Sequence, residues 1–154
     1  GTRKSVDFSF YGSVNMFRER VDTLSLLHQK GINIKIAGGS ENDYSLDFLA
    51  AMRDTKITLN FSNCNTGPGE PIHHLKGRIW EAAVSRTIIV ETRNPVTPLL
   101  FSDVEVVWYD HKEELPNILL DLLRDPARLE QMAERFFHKA IQHLDPEIFW
   151  KSFE

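Results

Sequence analysis

Two cations and a carboxylate lie close together at Lys76, Gly77, Arg78 and Glu81, where a polar loop runs into a predicted helix. Basic side chains are unfavourable at a helix start unless an anion binds there. Unpaired backbone N–H groups, the positive end of the helix dipole, Lys76 and Arg78 together suit a phosphate group. Glu81, one turn further on, can accept hydrogen bonds from a ribose diol. The alternative is a solvated helix start whose charges have no ligand.

The elements that position these residues alternate between strands and helices. Apolar, β-branched segments predict strands over residues 6–11, 32–37, 57–61, 87–91 and 104–109. Helical spacing predicts helices around Val21 to Leu27, which ends at Gly31, and over residues 44–53 and 76–85. It also predicts helices around residues 115–122, after Asp125-Pro126 and after Asp145-Pro146.

This alternation predicts an α/β fold, a Rossmann-like doubly wound parallel sheet of about five strands. Helices should cover both faces, and the carboxyl-terminal segment should be helical. Ligands of such sheets bind beyond the carboxyl ends of the strands. In this sequence those ends lead into Gly12-Ser13, Gly38-Gly39, the polar loop 62–75 and Glu91-Thr92.

Composition favours one globular domain over residues 1–154. The chain has 154 residues, 42% hydrophobic and 26% charged, and a formal net charge of −4. The negative charge argues against a nucleic-acid-binding surface. No segment approaches the ~18 apolar residues of a transmembrane helix. The lone Cys64 suits a reducing compartment, so we expect a cytoplasmic protein. Because Cys64, His73 and His74 lack paired ligand spacing, we expect no metal site.

Three segments, in order and spacing, resemble the carboxyl-terminal domain of the CgeB-like glycosyltransferases, group-one-like enzymes of GT-B architecture. The segments are Asp7 to Ser13 followed by Arg20, Lys56 to Ser62, and Lys76 to Ala83 running on to Glu91. The resemblance covers nearly the whole chain, and its specific part is the Lys-Gly-Arg-x-aromatic-Glu segment.

The resemblance implies the donor-binding half of a two-domain enzyme, with a nucleotide-diphosphate-sugar as donor substrate, no cofactor and no metal. Glu81 would hold the ribose. The diphosphate would contact Lys76, Gly77, Arg78, Gly12, Ser13 and Arg20. The sugar or the base would contact His73, His74, Ser62, Asn63 and Gly38. The catalytic base is unassigned because it would come from a missing amino-terminal acceptor domain, so the isolated domain is expected to be inactive.

The sequence departs from group-one enzymes at two positions. His73 stands where they have an acidic residue that touches the donor sugar, and Arg86 stands where a glycine is usual. If the backbone at Arg86 has positive φ, the strain costs on the order of 1–2 kcal/mol. Two alternatives stay open. One is a degenerate transferase domain, and the other is a non-catalytic flavodoxin-like binding or signalling module. A dinucleotide-dependent oxidoreductase is disfavoured by the absence of GxGxxG.

Overall fold

The computed structural model describes residues 3–38, 47–145 and 147. Five strands form one parallel sheet in the order β2-β1-β3-β4-β5. The strands are β1 (Val6–Tyr11), β2 (Lys35–Ala37), β3 (Thr55–Asn60), β4 (Ile88–Thr92) and β5 (Val107–Tyr109). The α-helices are α1 (Arg18–Gln29), α2 (Phe48–Arg53), α3 (Gly77–Val84), α4 (Leu115–Leu123) and α5 (Pro126–Leu144). The predicted α/β fold with a parallel sheet is confirmed.

Apolar side chains pack on both faces of the sheet, most plainly at β4, whose first three residues are all apolar. In β4, Ile88 and Val90 join a core with helices α1 and α4. Ile89, between them, joins a second core that contains Ile79 of α3 and residues of α5. Helices therefore cover both faces, as the sequence predicts.

The two outer strands are shorter than predicted. The strand expected over residues 32–37 pairs with β1 only from Lys35 to Ala37. The strand expected over residues 104–109 begins at Val107, because the amides of Glu105 and Val106 turn back to the carbonyl of Ser102. Apolar residues before these strands still pack inward, so hydrophobicity alone overestimates the hydrogen-bonded length.

Helix ends follow local capping chemistry. Asp47 accepts from the amides of Leu49 and Ala50 at the start of α2, and Asp125 accepts from the amide of Arg128 at the start of α5. Gly31 adopts φ 77 just after α1, as a helix end with a left-handed residue requires. Of the predicted helix over residues 44–53, residues 44–46 lie outside the described part. Gly39 and the helix expected after Pro146 also lie outside it.

Arg86 follows the end of α3 with φ 54, so the positive φ considered in the sequence analysis is present. The amide of Arg86 bonds the carbonyl of Ala83, and the amide of Thr87 bonds that of Ala82. These two hydrogen bonds form a Schellman motif, in which glycine is the usual residue at the left-handed position. Arg86 compensates with an ion pair to Glu134 and a guanidinium placed 3.9 Å from the ring centre of Phe137.

Lys4 joins segments at the amino-terminal edge of the sheet. Its ammonium donates to the carbonyls of Arg53 and Ser85 and to the hydroxyl of Thr87. These three acceptors lie at the end of α2, just after α3 and just before β4. One side chain therefore bridges three segments at the edge opposite to the predicted ligand site.

Candidate functional site

The order in which strands are added to the sheet reverses at β1, and this switch point defines the candidate site. From β1 the chain adds β2 on one side, and it then adds β3, β4 and β5 on the other. Parallel sheets bind ligands beyond the carboxyl ends of the strands at such a switch point. The loops at that edge are residues 12–17 after β1 and residues 61–76 after β3, called below the β1 loop and the β3 loop.

The β1 loop lies directly against the end of β2. The amide of Gly12 donates to the carbonyl of Ala37 at 3.0 Å. Gly38 adopts φ 89, and a Cβ atom there would lie 2.7 Å from the ring of Phe48 and 3.5 Å from the nitrogen of Gly12. Only glycine allows this approach of backbone to an aromatic ring. Gly12 and Gly38 therefore lie together, as the predicted site requires.

The β3 loop folds back on itself as a short hairpin. Asn63 and His73 form an antiparallel bridge. The amide of Cys64 donates to the carbonyl of Ile72 at 2.8 Å. The hydroxyl of Ser62 lies 2.7 Å from Nδ1 of His73. The sequence analysis predicted only a polar loop, whereas the structure orders Ser62, Asn63 and His73 in one hydrogen-bonded unit.

Arg78 and Glu81 contact each other. Nη1 of Arg78 donates to Oε2 of Glu81 at 2.5 Å, with the two side chains 28% and 36% exposed. Nε of Arg78 donates to the carbonyl of Tyr11 at 3.2 Å, and the guanidinium lies 4.0 Å from the ring centre of Phe48. These contacts hold Arg78 against the sheet edge and orient Glu81. Oε1 of Glu81 has no hydrogen-bond partner among the described residues.

The start of α3 offers donors without acceptors. The amides of Gly77 and Arg78 have no hydrogen-bond acceptor within the described ranges. Lys76 precedes them as the helix cap and makes no side-chain capping bond. Its burial and the nearby charge of Arg20 both lower the pKa of Lys76. Neither Lys76 nor Arg20 has a carboxylate within ion-pair distance in the part of the chain that the structure describes. An anion would relieve this repulsion.

Arg20 differs from the other predicted phosphate contacts because its side chain is buried. Nη1 donates to the carbonyl of Ser13 at 2.7 Å, and Nη2 donates to the carbonyl of Asn63 at 3.2 Å. Burial is the largest cause of its lowered pKa. Of the other predicted contacts, Ser13 is half-buried and His74 is exposed. The structure therefore brings the predicted residues to one edge of the sheet.

A buried carboxylate lies below this edge, at a position that the sequence analysis noted only as the end of a strand. Glu91 is 0% exposed at the end of β4. Its oxygens accept from the side-chain nitrogens of Asn60 at 2.7 Å, Asn94 at 3.1 Å and Trp108 at 2.9 Å. An acidic residue directly after the apolar run Ile88 to Val90 was the available signal. Trp108 makes this polar contact with Glu91 while it packs against the second core.

The site is an open edge formed by loops. A surface cavity of about 610 Å³ lies elsewhere, between α5 and residues 98–105, and none of the predicted site residues lines it. Within the described residues, no group of three histidine, cysteine or acidic side chains could hold a metal ion. No helix in the same part of the chain has the length and apolar character needed to cross a membrane.

Comparison with solved structures supports the fold. The chain superposes on the crystal structure of TarM with a TM-score of 0.68 and 13% identity, covering 99% of this chain and 35% of that one. For Anabaena Alr3699/HepE in complex with UDP-glucose, the TM-score is 0.63 at 16% identity, covering 96% and 40%. For the C-terminal domain of LpcC, a glycosyl transferase group 1 family protein from Francisella tularensis, it is 0.59 at 12% identity, covering 94% and 88%.

The chain thus spans less than half the length of TarM and HepE and most of the LpcC domain. No curated protein matches the sequence. The strand order also occurs in flavodoxin-like domains, so it does not by itself distinguish a flavodoxin-like module from a glycosyltransferase domain. The sequence does distinguish them, because residues 7–147 match the model of a family described as glycosyl transferase-like. The chain belongs to this glycosyl transferase-like family.

Proposed function

We propose that this chain is the donor-binding half of a two-domain glycosyltransferase and that it binds the diphosphate of a nucleotide sugar at the start of α3. The observation that carries the proposal is the start of α3, at the switch-point edge. There Lys76 has no carboxylate within ion-pair distance among the described residues, and the amides of Gly77 and Arg78 have no acceptor among them. A diphosphate would supply the missing negative charge, and the unpaired amides of Gly77 and Arg78 would donate to it.

The other contacts follow from this placement. Glu81 holds the ribose through Oε1, since Oε2 accepts from Arg78. Arg78 supports this carboxylate and contacts the diphosphate through the nitrogen that faces neither Tyr11 nor Glu81. The β3 loop, with Ser62, Asn63, His73 and His74, and the turn at Gly38 contact the sugar or the base. Gly12 and Ser13 form the floor beneath the diphosphate.

The chemistry expected at this edge is electrostatic. As the glycosidic bond breaks, negative charge grows on the leaving diphosphate. Lys76 and the amides at the start of α3 stabilise that charge without a metal ion. The acceptor and the catalytic base come from an amino-terminal domain, so the chain alone binds donor and transfers no sugar. The enzyme is CgeB-like and cytoplasmic, with a hexosyl donor.

Thermal unfolding with nucleoside diphosphates tests the proposal. UDP is the first probe, because HepE was solved with UDP and UDP-glucose, and GDP, ADP, dTDP and CDP follow. At about a hundredfold over Kd, one nucleotide should stabilise the chain by roughly 2.7 kcal/mol. For a domain of this size that raises Tm by about 5–10 °C.

The variants Lys76→Met and Glu81→Ala should both lose most of this shift. The matched control is Lys30→Met, since Lys30 is exposed at the other end of α1. A full shift in Lys76→Met would place the diphosphate elsewhere. If no nucleotide shifts Tm at millimolar concentration, the chain is a degenerate domain that keeps the fold without the ligand. The mutual pairing of Arg78 and Glu81 is the observation that favours this second candidate.

A further inference from the structure

Two arginines near the start of α1 have opposite environments. The side chain of Arg18 is 90% exposed and pairs with Asp22, one turn further along the helix. Arg20 is only 4% exposed. Its guanidinium lies 3.6 Å from the ring centre of Phe17, and the rings of Phe10 and Phe61 lie 5.8 and 5.7 Å away. Arg20 is therefore enclosed by aromatic rings, whereas Arg18 is solvated.

The buried guanidinium connects the two loops that form the candidate site. Its Nη1 reaches the carbonyl of Ser13 in the β1 loop, and its Nη2 reaches the carbonyl of Asn63 in the β3 loop. The partners lie 7 and 43 residues from Arg20 along the chain. The planar fork of arginine can donate to two acceptors at once, and a lysine ammonium lacks that fixed geometry.

Asn63 passes this connection on to the rest of the β3 loop. Its side-chain oxygen accepts from the amides of Asn65 at 2.9 Å and Ile72 at 3.1 Å. Its backbone pairs with His73. A displacement of Asn63 would therefore loosen the whole hairpin, including His73, which lies three residues before Lys76 in the chain.

We propose that Arg20 is a positioning residue that fastens the β3 loop to the β1 loop, and that it affects nucleotide binding through these loops rather than by contacting the diphosphate. The effect on nucleotide binding rests on the proposed function, whereas the fastening of the two loops does not. The sequence analysis expected Arg20 among the diphosphate contacts. In the structure both of its terminal nitrogens already donate to carbonyls, and its Nε is buried with no acceptor in the described part of the chain.

Hydrogen exchange of the nucleotide-free chain tests the first part. The amides to follow are those of Cys64, Ile72 and His74, whose acceptors all lie in the β3 loop. Arg20→Met and Arg20→Lys should each speed their exchange by about tenfold or more, since a lost hydrogen bond to a charged group has that order of effect. The amides of Ile89 and Val90, in the centre of the sheet, should exchange as in the unaltered chain. Arg18→Met and Arg18→Lys are the matched controls and should change neither set.

Affinity for UDP, or for whichever diphosphate stabilises the unaltered chain, tests the second part. If Arg20 acts through the loops, Arg20→Lys should weaken binding by about as much as Arg20→Met, roughly tenfold. If Arg20 contacts the diphosphate, lysine should keep most of the affinity, because it still supplies a point charge. That result would overturn the inference, as would unchanged exchange of the β3 loop amides.

The two proposals fail in different ways. Should no nucleotide bind the unaltered chain, the exchange experiment still decides whether Arg20 fastens the loops. Should Arg20→Met fail to fold, Arg20→Lys supplies the same comparison, because it keeps the charge and most of the aliphatic chain. Faster exchange in the β3 loop of Arg20→Lys supports the inference, and exchange equal to that of Arg18→Lys overturns it.

Discussion

Arg86 should behave as a strained residue whose side-chain contacts offset the strain. Its φ of 54 costs a non-glycine residue about 1–2 kcal/mol. Against this stand the ion pair with Glu134, whose side chains are 46% and 44% exposed, and the contact with Phe137. An exposed ion pair contributes up to about 1 kcal/mol, and an exposed cation–π contact contributes about 0.5–1 kcal/mol. The strain and the contacts therefore nearly cancel.

Two substitutions separate these contributions. Arg86→Ala keeps the strain and loses both contacts, so the free energy of unfolding should fall by roughly 1–2 kcal/mol. Arg86→Gly also loses the contacts but removes the strain, at a chain-entropy cost of about 0.5–1 kcal/mol. The glycine variant should therefore be more stable than the alanine variant by about 1 kcal/mol, or about 2–4 °C in Tm.

The assay is urea unfolding followed by tryptophan fluorescence, with equal denaturant slopes required for the comparison. The control is the same pair of substitutions at Lys30, which also follows a helix and is exposed, with φ −84. There alanine should be the more stable of the two, since no positive φ favours glycine. An alanine variant at Arg86 as stable as the glycine variant would refute the strain argument.

Two further predictions concern buried polar groups. Burial raises the pKa of Tyr109 to about 12 from 10.0, so the folded chain keeps a proton between these values that the unfolded chain loses. Its contribution to stability, roughly 3 kcal/mol, is full below pH 10 and is lost as the pH rises toward 12. The phenolate absorbance that disappears in Tyr109→Phe should titrate near pH 12, and a midpoint near 10 would contradict this. Glu91→Gln replaces one of two accepting oxygens by an N–H₂ group that faces other donors, so the free energy of unfolding should fall by roughly 1.5–3 kcal/mol. The indole N–H resonance of Trp108 should move, and unchanged stability would show that a neutral amide satisfies the network.

Local patterns predicted the centre of the sheet well. Most residues of β1, β3 and β4 are buried, and aromatic and β-branched residues are frequent in each strand, so local patterns identify them. A positive φ at Arg86 was considered because group-one enzymes usually have glycine there, and the backbone shows it. The ends of β2 and β5 were missed, since residues such as Ile32 and Val106 are buried without pairing in the sheet.

The roles of single side chains at the site were harder to predict. Arg18 and Arg20 have the same chemistry and lie two positions apart, and they differ in tertiary contacts such as that of Arg20 with the distant Asn63. The pairing of Arg78 with Glu81 was visible in their spacing of three residues. It was read instead as two separate ligand contacts. The hairpin of the β3 loop depends on Asn63 and Ile72, whose polar contacts have no sequence signature.

The two ends of the strands differ in what surrounds them, and this difference affects which substitutions the sequence can tolerate. At the amino-terminal edge, Lys4 ties three segments together with bonds to Arg53, Ser85 and Thr87. At the carboxyl-terminal edge, glycines and loops leave the backbone open. Mutations that change stability around Lys4 should therefore leave the loops at the carboxyl-terminal edge in place. Under the proposed donor-binding function, substitutions in those loops would change nucleotide-sugar preference at little cost to the stability of the far edge.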